Sequence, residues 1–174
     1  MDDGRAIDRP PWWPRIAERI NEMIEAGTAR FTVGVFQDTA WASKGLEALQ
    51  RAGFPSESLT ILSRDAPEVA TLIQKIFGTA GDQLDVAGIG GVIAHGPLVE
   101  ALQGGNRSLT MRGIAGTMNR VGFQPHDGRI FEALTGRGGV LVAVRSEPRA
   151  ADALAVLHSY GGGNAAIGAW TGRL

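Results

Sequence analysis

The sequence predicts an α+β domain in which two strand–helix–strand (βαβ) units form a ferredoxin-like four-stranded antiparallel sheet. An internal similarity supports this prediction. The apolar segment VGVF is followed by a helical pattern of alanine and leucine, and VAVR is followed by the same pattern. The matching helix positions keep one constant offset; they are Ala42, Leu46, Leu49 and Gly53 in the first copy and Ala150, Leu154, Leu157 and Gly161 in the second.

The repeat also predicts how the strands are arranged. A right-handed crossover makes the two strands of each unit parallel, and interleaving two such units places strands one and three in the middle of the sheet. We therefore expect a domain over residues 30–174 with its helices on one face of the sheet. A glycine-rich helical insertion at about 66–137 separates the two units, and residues 1–29 form an N-terminal extension.

The first unit has a clear change of periodicity. The β-branched and apolar run Phe31–Phe36 predicts a strand. A helical pattern follows from about Thr39 to Ala52 and ends at a glycine that has the position of a C-cap. The run Ser58–Ser63 then predicts the second strand, with Leu59 and Ile61 on one face.

The insertion begins with an amphipathic helix. Asp65 and Glu68 have the spacing of a capping box, which predicts that the helix starts there. Its apolar stripe consists of Val69, Leu72, Ile73, Ile76 and Phe77. A later helix is predicted to carry Met111, Ile114, Ala115, Met118 and Val121 on one face, and a short helix to run from Asp127 to Leu134.

The second unit repeats the strand and helix of the first. Val140–Val144 is apolar at every position, which is typical of a central strand buried on both faces. The following helix has a predicted buried side of Ala150, Ala153, Leu154 and Leu157. Ala165–Trp170 is the predicted last strand.

Composition excludes several classes of function. The 174 residues include no cysteine, which rules out disulfides, thiol catalysis and thiolate metal sites. The net charge is −1, and no Lys and Arg block is interleaved with aromatic residues, so we expect no nucleic-acid binding. The N-terminus lacks the apolar run of a secretion signal, which favours a cytoplasmic protein.

The glycine-rich passage Val86–Gly105 is open to more than one interpretation. A dinucleotide-binding fingerprint requires a third glycine at the position that Ile93 occupies. The uncharged stretch around it is shorter than the about 20 apolar residues of a membrane span, so we expect no transmembrane segment. The remaining interpretation is structural: the glycines allow close backbone approach or positive φ, and Gly96–Pro97 begins a short helix. That helix is predicted to bury Leu98, Ala101 and Leu102.

A ligand-binding hypothesis for the same passage is kept as the alternative. Successive backbone amides can bind an anion without a named motif. The residues of this site would be Gly88, Gly90 and Gly91 together with the nearby Arg107 and Arg112.

Residues for catalysis or metal binding are not arranged in a recognisable pattern. His95, His126 and His158 lack the short spacings by which one element presents two metal ligands. Ser63 and Ser146 have no base in a recognisable relation to them. An acid–base pair of His126 and Asp127 near Glu132 competes with a helix-capping role for Asp127. We therefore expect no catalytic residues, no metal and no cofactor.

The N-terminal segment carries the strongest functional signal. Burying a tryptophan side chain contributes roughly 2 to 3 kcal/mol, so an adjacent pair is costly to leave in water. The apolar stripe of this segment consists of Trp12, Trp13, Ile16, Ile20, Met23 and Ile24. It either covers the open face of the chain's own sheet or docks on a neighbouring subunit or another protein. The polar tail before Pro10 favours docking.

Several segments resemble one known family. They are VGVF, ALQRAGFPSESLTILSRD, the passage containing GIGGVIAHGPL, VGFQPHDGRIFEALTGRGGVLVAV and a closing helix. Over residues 31 to about 170 the chain resembles the general stress protein 17M family, also called the heat-induced stress protein domain. The resemblance implies a bacterial, cytoplasmic, stress-associated domain and brings no catalytic residues. We expect a non-catalytic interaction or assembly module that forms a homo-oligomer or joins a complex; the alternative is a small-ligand-binding regulatory domain.

Overall fold

A computed structural model describes residues 31–146 and 149–167 of the chain. These residues form an α+β structure with one six-stranded antiparallel sheet and six α-helices. The predicted N-terminal tail and docking helix, residues 1–29, lie outside the described residues, and so does the predicted end of the last strand at Trp170.

The strands and helices predicted for the two βαβ units are present. The strands are β1 (Phe31–Phe36), β2 (Leu59–Arg64), β3 (Asp82–Val86), β4 (Gly90–His95), β5 (Val140–Arg145) and β6 (Gly163–Ile167). The helices are α1 (Thr39–Arg51), α2 (Pro67–Phe77), α3 (Pro97–Gln103), α4 (Ser108–Arg112), α5 (Pro125–Gly136) and α6 (Ala150–Ser159). The longest of these described helices has 13 residues, and none combines the length and apolar character of a membrane crossing.

The sheet has six strands where four were predicted. Their order is β3-β4-β2-β5-β1-β6, and every neighbouring pair is antiparallel. Because β1 and β2 both pair with β5, they are parallel to each other, as the crossover argument requires. The two additional strands come from the insertion, which was predicted to be helical. It contributes the hairpin β3–β4, and β4 extends the sheet beyond β2.

Helices cover both faces of the sheet, which corrects the prediction of a single helical layer. On one face α1, α2 and α6 pack over a core that includes Phe36, Ile61 and Val142. On the other face α3, α4 and α5 pack over a core that includes Val33 and Leu62. The sequence indicated helices in the insertion, but nothing local in it specified that they would fold back over the second face.

The predicted central strand is confirmed. β5 lies between β1 and β2, and Leu141 and Ala143 are buried on one of its faces. Val140, Val142 and Val144 are buried on the other. Burial on both faces explains why this strand reads as a continuous apolar run.

The helix starts in the insertion differ from the predictions. Ala66 is the N-cap of α2, and no side chain caps this helix, so the predicted capping box is wrong. Pro67 occupies the first helical position, where its missing N–H costs nothing. The Asp65 carboxylate instead accepts a hydrogen bond from Nε2 of Gln83 at 3.4 Å. In α3 the exposed Ala101 was predicted to be buried, and Val99 is buried in its place.

The predicted helix over residues 111–121 is broken. α4 ends at Arg112 because Gly113 has φ of 76° and ψ of −178°, outside the helical region. The chain then passes through a turn into a short 3₁₀ segment at Met118–Val121. The interior side of the broken segment is still apolar, since Ile114, Met118 and Val121 are buried.

Two polar contacts tie neighbouring elements together. Lys75 on α2 lies 2.5 Å from the Glu47 carboxylate on α1 and also donates to Oγ of Ser43. The hydrogen bond and charge of Lys75 hold the pKa of Glu47 below its ordinary value. Both side chains are well exposed, so the pair orients the helices more than it stabilises them.

The junction between β4 and α3 requires a glycine. Gly96 has φ of 128° and ψ of 173°, a conformation that is essentially restricted to glycine. A Cβ atom there would overlap the carbonyl oxygen of Leu59 and Oγ1 of Thr60. The buried Thr60 hydroxyl accepts a hydrogen bond from the amide of Leu98 at 3.0 Å, which satisfies one free amide at the start of α3.

Replacing Gly96 by alanine is therefore expected to destabilise the protein by about 3 kcal/mol, because backbone strain and overlap add together. Urea unfolding measures the change in the free energy of unfolding. Gly136→Ala is the matched control, since a Cβ atom there would meet nothing within 4 Å. Equal stability of the Gly96→Ala variant and the wild type would contradict this account of the junction.

Candidate functional site

The glycine-rich passage contains a β-hairpin turn. β3 ends at Val86 and β4 begins at Gly90, with Ala87, Gly88 and Ile89 between them. Gly88 and Gly90 have φ of 86° and 97°, which lets the chain reverse within this short connection. The structural interpretation of these two glycines is therefore confirmed, whereas Gly91 has no positive φ.

The turn lies against the short helix α4. The amide of Ala87 donates to the carbonyl oxygen of Thr110 at 3.0 Å. Gln103 holds Thr110 in place, because its Oε1 accepts from the Thr110 amide at 3.1 Å and its Nε2 donates to Oγ1 at 2.9 Å. A residue from the middle of the hairpin and one from the middle of α4 are thus fixed to each other.

This packing brings the residues of the ligand-binding hypothesis into one region. Gly88, Gly90 and Gly91 belong to the hairpin, and Arg107 and Arg112 bound the helix that contacts it. We call these five residues, together with Met111, the hairpin-tip surface. Both arginines are exposed, and among the described residues neither side chain has a hydrogen bond or ion pair assigned to it.

The chemistry of this surface is mixed. Met111 is 74% exposed, which is high for a large apolar side chain. Arg107 has φ of 57°, the single positive value at a non-glycine residue in the described part of the chain. A positive φ at arginine carries a strain of about 1 kcal/mol or more. Arginines at the two ends of α4 and an exposed methionine on it are residue types that suit a ligand with an anionic group and an apolar part.

The carboxylate of Glu132 on α5 packs against the hairpin turn. Glu132 is half-buried, and its Oε1 accepts a hydrogen bond from the amide of Ala115 at 3.3 Å. A Cβ atom added at Gly88 would lie 3.1 to 3.3 Å from this carboxyl group, and one at Gly113 would overlap it. The two glycines therefore leave room for the carboxylate. Sequence reasoning considered Glu132 only as a partner of His126 and Asp127, and no local signal linked it to the hairpin.

The other groups considered for chemistry have structural roles. The Ser63 hydroxyl donates to the carbonyl oxygen of Gly139 at 3.0 Å, and the Ser146 hydroxyl bonds that of Thr32 at 2.8 Å; all three hydroxyl-bearing residues are buried. Asp127 lies in the first turn of α5 and does not cap it, because Gln124 is the N-cap. Its charge still matches the positive end of the helix dipole.

Two clefts lie away from the hairpin-tip surface. One has a volume of about 350 Å³. Its lining includes Val35, Phe36, Gln37, Leu134, Arg137, Gly139, Gly161 and Gly163. The other has a volume of about 290 Å³ and is lined by Glu57, Asp82, His95, Gly96, Pro97, Val99 and Glu100. The His95 ring packs against that of Phe77 with centroids 4.4 Å apart. Within the described residues, no group of three His, Cys, Asp or Glu side chains is placed to hold a metal ion.

The predicted partner-binding residues are not part of the described structure. Trp12, Trp13, Ile16, Ile20, Met23 and Ile24 all lie in residues 1–30. Their role stays a prediction.

Replacing Glu132 by alanine is expected to loosen the hairpin turn and to lower the free energy of unfolding by about 1 kcal/mol, since a half-buried acceptor of a backbone amide is lost. Hydrogen exchange should become faster at Ala115 and in the turn at 86–90. Glu100→Ala, which removes an exposed carboxylate from α3, is the control. Unchanged exchange at both places in the Glu132→Ala variant would contradict the supporting role.

Comparison of the chain with protein-family models, with curated proteins and with solved structures gives no match.

Proposed function

We propose that this chain is a non-catalytic assembly module that binds a partner protein through its N-terminal apolar stripe. The observation that carries the proposal is the helical cover on both faces of the sheet. The sequence left two places for Trp12 and Trp13, the open face of the chain's own sheet or a partner. In the described residues α3, α4 and α5 already occupy the face that the first alternative needs.

An adjacent pair of tryptophans contributes roughly 2 to 3 kcal/mol per side chain when it is buried. Aromatic residues of this kind dominate the binding energy of many protein interfaces. A partner surface supplies the burial that an already covered sheet does not.

The order of four strands supports a ferredoxin-like core for this module. Four adjacent strands have the order β2-β5-β1-β6. The two inner strands are β1 and β5, which are the first strands of the two βαβ units. α1 and α6 connect the strands of each unit and pack on the same face. In this proposal the hairpin β3–β4 and helices α3 to α5 are additions to that core.

The cellular role in this proposal is that of a stress-associated accessory subunit in the cytoplasm. Its support is the resemblance of residues 31 to about 170 to the general stress protein 17M family.

Replacing Trp12 and Trp13 together by alanine is expected to weaken partner binding at least tenfold and to leave the fold intact, because two aromatic anchors are lost. Capture from native extract with mass spectrometry, and molar mass by light scattering, measure the effect. Trp41→Ala is the matched control, since Trp41 is a 44% exposed tryptophan on α1. Unchanged capture and mass in the double variant would refute docking through this segment.

A small-ligand-binding regulatory domain is the second candidate function. The contact between the glycine turn and α4, through Ala87 and Thr110, favours it because it gathers Gly88, Gly90, Gly91, Arg107 and Arg112 in one region. An anionic metabolite with an apolar part is the ligand class that this surface suits.

Thermal shift across a panel of nucleotides and carboxylate metabolites tests this candidate. A binding ligand is expected to raise the Tm of the wild type and to lose this effect in the Arg107→Gly, Arg112→Gln double variant. Glycine at 107 removes the guanidinium and also relieves the positive φ. A shift of the same size in the double variant, or no shift with any compound, would count against the candidate.

A further inference from the structure

The larger of the two clefts lies at one end of the sheet, where three chain connections meet. At this end β1 leads into α1, α5 leads into β5, and α6 leads into β6. Its volume of about 350 Å³ is within the range of pockets that bind small molecules, about 300 to 1,000 Å³. The residues that line it all belong to the described part of the chain.

The cleft is distant from the points where the undescribed segments join. Val35 pairs with Gly163 at the cleft end of the sheet. The undescribed segments begin next to Phe31, Ser146 and Ile167, at the opposite end of these strands. Because a strand rises about 3.3 Å per residue, these junctions are on the order of 15 Å from the cleft.

Glycines leave part of the cleft wall without side chains. Gly161 and Gly163 line the cleft at the start of β6. A Cβ atom at Gly161 would meet nothing within 4 Å, and one at Gly163 would meet only the carbonyl oxygen of Val35 at 3.5 Å. The space beside these two residues is therefore open to a ligand. Val35, Phe36 and Leu134 supply the apolar part of the lining.

One cation faces this mixed lining. Among the described residues that line the cleft, Arg137 is the only charged one, and it is exposed at the C-cap of α5. The ion pairs seen in the described part of the chain are made by Lys75 and Arg149, so they leave this guanidinium available. A planar guanidinium binds a carboxylate through two parallel hydrogen bonds. The exposed Gln37 adds an amide that can donate to the same group.

We propose that this cleft binds a small carboxylic acid with an apolar body, whose carboxylate contacts Arg137 and Gln37. One positive charge matches a monocarboxylate, whereas a phosphate group carries nearly two negative charges. A volume at the low end of the range for ligand pockets selects a compact molecule. This inference goes beyond the proposed assembly function and uses none of the residues of the hairpin-tip surface.

Titration of the full chain with benzoate, phenylacetate and cinnamate tests the proposal, with the backbone amide signals followed by NMR. The signals of Gly139, Gly161 and Gly163 are expected to shift and to saturate, which gives the Kd. Arg137→Gln should raise the Kd at least tenfold, because charge-assisted hydrogen bonds are lost. Gly163→Leu should also raise it, since the larger side chain reduces the space in the cleft. Gly163 has no positive φ, so its backbone accepts leucine.

Three controls accompany these variants. Arg129→Gln is the matched control, because Arg129 is an exposed arginine on the same helix that does not line the cleft. The Arg107→Gly, Arg112→Gln double variant should keep the wild-type Kd, which separates this cleft from the hairpin-tip surface. Phenethylamine, which joins the apolar ring of phenylacetate to a positive charge, should not bind.

Several results would overturn the proposal. They are the absence of saturable shifts at the three glycines with all three acids up to millimolar concentration, an unchanged Kd in the Arg137→Gln variant, equal weakening by Arg129→Gln, and equal binding of phenethylamine. Circular dichroism checks the folding of each variant, and Arg137→Gln, which alters an exposed side chain, decides the outcome if Gly163→Leu does not fold. Docking through the tryptophans would stand in every one of these cases.

Discussion

The pairing of β5 with both β1 and β2 is the constraint on which the described structure depends. β5 lies about 100 residues after β1 in the chain, and yet it fills the gap between β1 and β2. Neither βαβ unit is complete by itself, because a strand of the other unit fills the space between its two parallel strands: β5 lies between β1 and β2, and β1 lies between β5 and β6. The buried valines and leucine of β5 then join the helical layers on the two faces.

The insertion packs on this central sheet. The hairpin β3–β4 extends the sheet beyond β2, and the following helices fold over the second face. The junction between β4 and α3 is closely packed, because a Cβ atom at Gly96 would overlap Thr60. The Thr60 hydroxyl also accepts a hydrogen bond from the first turn of α3. At the turn of the hairpin, a Cβ atom at Gly113 would overlap the Glu132 carboxylate. This carboxylate accepts a hydrogen bond from a nearby backbone amide. The backbone of the hairpin turn therefore contacts both α4 and α5.

The helical cover on both faces makes the two edges of the sheet a distinct part of the described structure. An enclosed sheet leaves its edges as the places where backbone groups are available to another chain. The edge strand β3 carries two carboxylates, whereas the described part of the edge strand β6 carries no charged residue and has an irregular register against β1.

The sequence alone determined the elements of this protein, and the tertiary structure decided how they meet. The stripe from Val69 to Ile76 and the apolar run at 140–144 predicted a helix and a central strand, because periodicity is local and is set by which side chains must leave water. The pairing of β4 with β2, the helical cover on the second face and the place of Glu132 beside Gly88 could not be predicted in this way. These contacts join residues that are far apart in the chain. The residues around a strand or a carboxylate do not specify which distant backbone groups will form hydrogen bonds with it.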